Sequence, residues 1–491
     1  MLKLHNVILQ LNAADYSQIV DDLQQNKAEK FSTLLRLYRE SELTEDEIHG
    51  QLGINQSAFY TLKSRLFDKI QTQLLKATPH PRMEMLRNVA NIHKLLHETH
   101  RDLAVAMLTK LEQELLEHDM PNELTAVYNA LKKLHLHSPK YYEYTQLYNK
   151  HVAYTLALDK AESLLASYCK TLEEYSLSRN PDQAQVLWLT KKEIRNVCRL
   201  YQSHHLLVTQ YIADISFALF VKTPEAIKED LPVEEMLDIL FETFDNHTRD
   251  ERYYYLRDTA SFLAFEYYHG LGLSKSATPY FDKISPKANT FLLHSHTCFA
   301  AHFLISRLEF LSKQDRLDEL ESEEQALHFE TSPEELAAYC FVAIHHTMRH
   351  FYAGRYLEST RILNQALNEA GLKNYTHTEI ELKLLQALCC CMCNRYEQAD
   401  LLLRSVSRKL TELNKSGEYE QAGIFVKMLR LQMNSESKGV EEKLRGMRDR
   451  FLLLNNGNKR MLGYVRMDDT FIKKLSLGVK SDPTASRGAR G

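Results

Sequence analysis

From about Arg82 to Leu454 apolar residues return at three- and four-residue spacing, in stretches parted by short polar breaks. Such spacing lays one apolar stripe along each helix, and stripes on successive helices are buried only against one another. The pattern predicts paired helices and no sheet. Within it, Gly354-Arg355-Tyr356 recurs forty residues later as Asn394-Arg395-Tyr396, each at the break between two helices. The same interval relates Ser359 to Ala399, Ile362 to Leu402, Leu363 to Leu403 and Ala366 to Val406, so the second helix of the pair repeats small and apolar positions in one register. A helical hairpin is being copied, and hairpins that cannot bury their stripe alone do so by stacking. The expected organisation is a small helical unit over 1–80, helical repeats over 81–223 and 233–456, and a segment 457–491 that ends in a flexible tail from Ser481. Thr223-Pro224 and Leu231-Pro232, which bracket acidic residues, read as a hinge, and Asp315 to Pro333 is a second weakly organised stretch.

Tyr396, Ala399 and Leu403 resemble the second helix of the tetratricopeptide family, in which an aromatic opens the helix, a small residue follows three positions on and an aliphatic packs one turn later. Looser matches lie at Leu158, Ala161 and Leu165 and at Leu103 and Ala106. The resemblance implies an all-α fold, an elongated or curved α-solenoid whose concave face binds a peptide or protein partner. Where the family's first helices carry Trp, Gly and Tyr, this chain has His346, Thr347 and His350. Its period also exceeds the usual length of about 34 residues, so HEAT-like or irregular helical repeats remain an open alternative.

Ahead of the repeats, Leu43 to Leu66 looks like a helix-turn-helix. Thr44 with Glu47 makes a capping box, Ile48 and Leu52 face inward, Gly53 permits the left-handed turn and Ile54 plugs the corner. Phe59, Leu62 and Leu66 form the buried stripe of the second helix, and a helix from about Ala28 to Arg39 completes the unit. Asn55, Gln56, Ser57, Tyr60, Thr61 and Ser64 then point outward at the positions where the motif reads bases, with Lys63 and Arg65 as phosphate contacts, so residues 41–66 are a candidate DNA surface. Against this, residues 26–76 hold eight basic and seven acidic side chains, a balance of only +1, with Glu45, Asp46 and Glu47 on the first helix of the motif. His49 replaces the small residue usual at a close helix packing position. A cap that seals the repeats, or a protein-docking unit, competes with the DNA reading.

Composition agrees with long helices: 15 Gly and 11 Pro among 491 residues leave little material for the turns of a β-rich chain. A net charge of −4 offers no global attraction to nucleic acid or anionic membranes. No apolar run reaches the roughly 18 residues of a membrane span, the first ten residues lack a continuous signal-peptide core, and eight cysteines in so long a chain, half of them crowded between 389 and 393, make no disulfide framework. A cytoplasmic setting is expected. Cys389, Cys390, Cys391 and Cys393 diverge around one helix and read as small core residues, not ligands. The groups His294, His296 and Cys298, and His346 with His350, lack the acidic partner of a metal motif. The run Tyr253-Tyr254-Tyr255 spans all sides of a helical turn, with Tyr254 expected inside, and Asp318–Glu324 and Glu441–Arg450 read as solvated faces. No phosphate loop, nucleophile elbow or kinase set is present, so the sequence assigns no catalytic residue, cofactor or metal, and the chain reads as a binding protein.

Overall fold

The computed structural model describes residues 4–11, 13–26, 28–40, 45–75, 81–221, 231–248, 250–287, 299–322, 331–413, 418–433 and 439–477. Helix accounts for 83% of what is described, and none of these residues lies in a strand. Thr44, Thr223-Pro224, the group His294, His296 and Cys298, positions 323–330 of the weak stretch and the tail from Ser481 lie outside the described residues. By its internal packing the chain divides into two compact units, Met1–Thr155 and Leu156–Gly491.

In the first unit, α1 (Leu4–Gln10), α2 (Ala13–Gln25), α3 (Glu29–Glu40), α4 (Glu45–Gln51) and α5 (Gln56–Leu75) enclose a core of Ile8, Leu34, Leu35, Phe59, Leu66 and Ile70. Helices α6 (Pro81–Ala90), α7 (Ile92–Glu98), α8 (Arg101–Glu117) and α9 (Pro121–Leu134) enclose a separate core around Leu108, Leu115, Val127 and Leu131. The 39-residue helix α10 (Lys140–Ser178) runs through the division between units. Leu158, Ala161 and Leu165 fall in its middle with no turn before them, and Leu103 and Ala106 are exposed on α8. The turn in this stretch lies at Asp119, whose φ is 45°, and the helix behind it sends Leu124, Tyr128 and Leu131 inward.

The second unit continues with α11 (Pro181–Cys198), α12 (His204–Phe220), α13 (Val233–Asn246), α14 (Glu251–Gly270), α15 (Ser274–Ile284), α16 (Phe299–Lys313), α17 (Asp318–Ser322), α18 (Leu336–Tyr352), α19 (Tyr356–Glu369), α20 (Thr376–Met392), α21 (Tyr396–Leu413), α22 (Glu420–Met433), α23 (Val440–Leu454) and α24 (Asp469–Leu477). Four of its hairpins turn in the same way. Gly272, Asp315, Gly354 and Asn394 take φ of 74°, 60°, 74° and 60°. The N–H of the next residue then donates five positions back: Leu273 to the Tyr268 carbonyl at 2.9 Å, Arg316 to Leu311 at 3.0 Å, Arg355 to His350 and Arg395 to Cys390, both at 2.8 Å. This is the closure that satisfies a helix's last carbonyls around one left-handed residue. Behind it the side chains five, nine and twelve places on are buried: Ala277, Phe281 and Ile284; Ser359, Leu363 and Ala366; Ala399, Leu403 and Val406. The same turn closes α8 in the first unit, where Asp119 is left-handed and the Met120 N–H donates to the Leu115 carbonyl at 3.0 Å.

One core assignment differs. Tyr254 is 59% exposed and Tyr253 is the buried tyrosine, its ring 4.9 Å from that of Phe244. Asp250 caps α14 by accepting the Arg252 N–H at 3.1 Å, which fixes the helix's phase and turns residue 253 inward.

Candidate functional site

Over residues 45–75 the chain forms α4 and α5 on either side of a turn at Gly53. Gly53 has φ 61°, Ile48 is buried, Leu52 and Ile54 are half-buried, and Phe59 and Leu66 sit in the core with Leu62 partly covered. The unit is larger than three helices, because α1 and α2 close the core and Arg39 donates to the Ile8 and Leu11 carbonyls at 2.7 and 3.0 Å, capping the end of α1. Asn55, Gln56, Ser57, Tyr60, Thr61, Ser64 and Arg65 are exposed together, and Lys63 is half-buried with its ammonium 5.6 Å above the rings of both Phe59 and Tyr60. Asn55 has a structural task as well: its Oδ1 accepts the Ala58 N–H at 2.8 Å and caps α5.

A second arrangement lies in unit two, and the sequence reading did not single it out. After α23 the chain forms a non-helical strap, residues 455–468, that meets the first helices of successive hairpins. Gln421 of α22 donates to the Lys459 carbonyl at 2.8 Å. Glu381 of α20 accepts the Leu462 N–H at 2.7 Å. On α18 the Tyr352 hydroxyl donates to the Tyr464 carbonyl at 2.6 Å and accepts the Arg466 N–H at 3.1 Å. Arg460 reaches α16, its guanidinium 2.5 Å from Glu309. Met461, Leu462, Tyr464 and Val465 are buried, and Asn455 closes the base of the strap by donating to the Met461 carbonyl at 2.8 Å and accepting its N–H at 3.0 Å.

The helices supply what a main chain needs: an acceptor for its N–H, donors for its carbonyls and a carboxylate for one cation. The electrostatics follow from burial. Burial pushes the Glu266 carboxyl up to about 7, with His269 and the Ser306 hydroxyl only partly offsetting it. Burial would also raise Glu309, but the His269 imidazole 3.8 Å away and the charges of Arg460 and Lys313 outweigh it and hold Glu309 at about 2. Glu381 is raised by burial against the opposing pull of the Leu462 N–H. Three carboxyls in apolar surroundings are tolerable only because one is paired, one accepts a backbone donor and one is held toward its neutral form.

The signal for this site was weak. Glu309, Glu381 and Gln421 are not distinguished by the sequence from the other polar residues of their helices, such as Arg307, Glu379 and Glu420, and Lys459-Arg460-Met461-Leu462-Gly463-Tyr464 has neither helical period nor a recognised motif. The histidines and cysteines of the sequence analysis fall elsewhere. Cys389, Cys390 and Cys391 are buried in α20, with Cys393 half-buried at its end, His346 is held down to about 4 by burial and Arg349, and His350 Nδ1 accepts from Arg355 at 3.0 Å. A recess beside α19 and α20 contains Lys383 and Lys409, both of which donate to Glu379. Among the described residues no helix is long and apolar enough to cross a membrane. Compared with protein-family models, curated proteins and solved structures, the chain matches none.

Proposed function

We propose that this protein is an interaction scaffold, not an enzyme, that holds a peptide or protein segment in a groove formed by the first helices of its repeats, as the resemblance to tetratricopeptide proteins implies. One observation carries the reading: Glu309, Tyr352, Glu381 and Gln421, from four first helices, already hold a non-helical stretch of chain by its backbone and one arginine. Hydrogen bonds to main-chain groups give affinity without dictating sequence, and adjoining apolar surface supplies selectivity. Purification of the full chain from its native host lysate at mild salt should retain a stoichiometric protein partner. Recovery of a nucleic acid or small molecule without such a protein would remove the reading.

The second reading is a transcriptional regulator in which α5 contacts DNA and the repeats sense the partner. The shared exposure of Gln56, Tyr60, Thr61, Ser64 and Arg65 favours it. On this reading, replacing Gln56 or Tyr60 lowers sequence preference, while replacing Lys63 or Arg65 weakens binding to every sequence and flattens its salt dependence. A near-neutral reader would act as a dimer on two half-sites. Titration of the full chain against genomic fragments at low salt tests it, and a shift untouched by Gln56 and Tyr60 substitutions rejects base reading.

A further inference from the structure

The strap touches its helices in an unusual manner. Between residues 459 and 467 its described backbone hydrogen bonds to α18, α20 and α22 run through helix side chains, those of Tyr352, Glu381 and Gln421, and none of those described joins this stretch to the backbone of these helices. Four of its backbone groups would be met equally well in any peptide that followed the same path. Two features are sequence-specific. The cation at Arg460 is required by Glu309, which would otherwise stand beside Glu266 in apolar surroundings without its counter-charge. Gly463 is favoured by space: a Cβ there would lie 2.4 Å from both the Arg460 guanidinium and Glu309 Oε1, so the ends of those two side chains would have to move apart. Leu462 and Tyr464 flank that glycine and are buried. At the far end, Arg466 pairs with an Asp315 whose side chain is 80% exposed, a contact that holds the strap weakly.

Resting on the scaffold reading, we infer that residues 459–467 stand in for an outside ligand of the groove. That ligand is a linear, non-helical peptide with a basic residue, an aliphatic residue two positions on, a glycine three on and an aromatic four on, and it binds by displacing the strap. The match is one of charge and shape: the groove offers one ionised carboxylate at Glu309, acceptors for backbone N–H at Glu381 and Tyr352, donors to backbone carbonyls at Gln421 and Tyr352, and a tight fit against the Arg460–Glu309 pair at the glycine. Because the strap is tethered, it competes at an effective concentration in the millimolar range. A groove closed about 99% of the time binds an outside peptide about a hundredfold more weakly than an open one.

The test uses the full chain and a labelled peptide with the sequence of residues 457–468. Gly463→Val drives a branched side chain between Arg460 and Glu309 and weakens the pair that holds the strap, so this variant should bind the peptide at least tenfold more tightly than the native chain. Adding Glu309→Gln, or changing the arginine of the peptide that corresponds to Arg460 to alanine, should undo the gain. In the native chain, the amides of Leu462 and Arg466 should exchange hydrogen sooner than those of α20, and saturating peptide should hasten them further. A folded Gly463→Val chain with unchanged affinity overturns the inference. If that variant does not fold, native exchange decides: strap amides that open only together with α20 overturn it. Peptide binding that leaves strap exchange unchanged overturns the strap's role while the scaffold reading stands, and no peptide binding in any chain together with no protein partner from lysate removes both.

Discussion

At Gly354 and Asn394 the backbone is left-handed in equivalent turns, with φ of 74° and 60°. A β-branched side chain in that region costs about 1–2 kcal/mol, whereas Gly and Asn enter it readily. Gly354→Val should therefore lower stability by about that amount and Asn394→Gly should be near neutral, as read from urea midpoints. Buried histidines make the second unit sensitive to acid. Burial, with the charge of Arg179 nearby, holds His302 and His377 down to about 3 against an ordinary 6.5. Such a group stays neutral in the fold and protonates near 6.5 in the unfolded chain, so the stability it contributes is present above that pH and is lost as pH falls toward 3. Between pH 7 and pH 5 each should remove about 2 kcal/mol, and His377→Gln should shrink the difference between urea unfolding at the two pH values. Glu266 has the opposite sign. With its carboxyl raised to about 7, its contribution is full below the unfolded value of 4.5 and fades as pH rises through 7, so Glu266→Gln should gain on the native chain above pH 7.

On helix α21 burial separates neighbours that hydropathy alone would treat alike. Leu403 is fully buried while Leu401 is 67% exposed. Leu403→Ala should cost about 2–5 kcal/mol through lost burial and the cavity left behind, and Leu401→Ala should stay within about 0.5 kcal/mol, both measured by denaturant unfolding. The forty-residue interval made this phase readable, since Ser359, Leu363 and Ala366 repeat as Ala399, Leu403 and Val406 with burial in step. The same turn at Gly272 and Asp315 escaped notice because its residues there are followed by Leu273-Ser274 and Arg316-Leu317, with no aromatic to mark the second helix. Backbone geometry needs only a residue that tolerates positive φ and a donor behind it, so the turn survives where the sequence pattern does not. Tyr253 and Tyr254 illustrate the converse: a helix's phase is set by its cap at Asp250, and periodicity across three adjacent tyrosines carries no phase.

For the whole molecule, two compact units with their own apolar cores predict unfolding that is not two-state. Leu66→Ala, in the core of α1–α5, should shift only the transition reported by amides of residues 1–155, and Leu388→Ala, buried in α20, only that of residues 156–491, as followed by hydrogen exchange along a urea series. The sequence by itself determined the helical class and the places of individual turns such as Gly53 and Gly354, because each depends on residues within a few turns of one another: the period of an apolar stripe, a glycine at a turn, a cap three places from its donor. Only the tertiary structure decided that a strap from residues 455–468 meets helices that begin more than a hundred residues earlier, as Arg460 meets Glu309 and Arg466 meets Tyr352. Those pairings join single polar groups across long stretches of chain. What selects them is the cost of leaving a buried carboxylate or backbone group without a partner, a term that exists only once the helices have packed and water has been excluded.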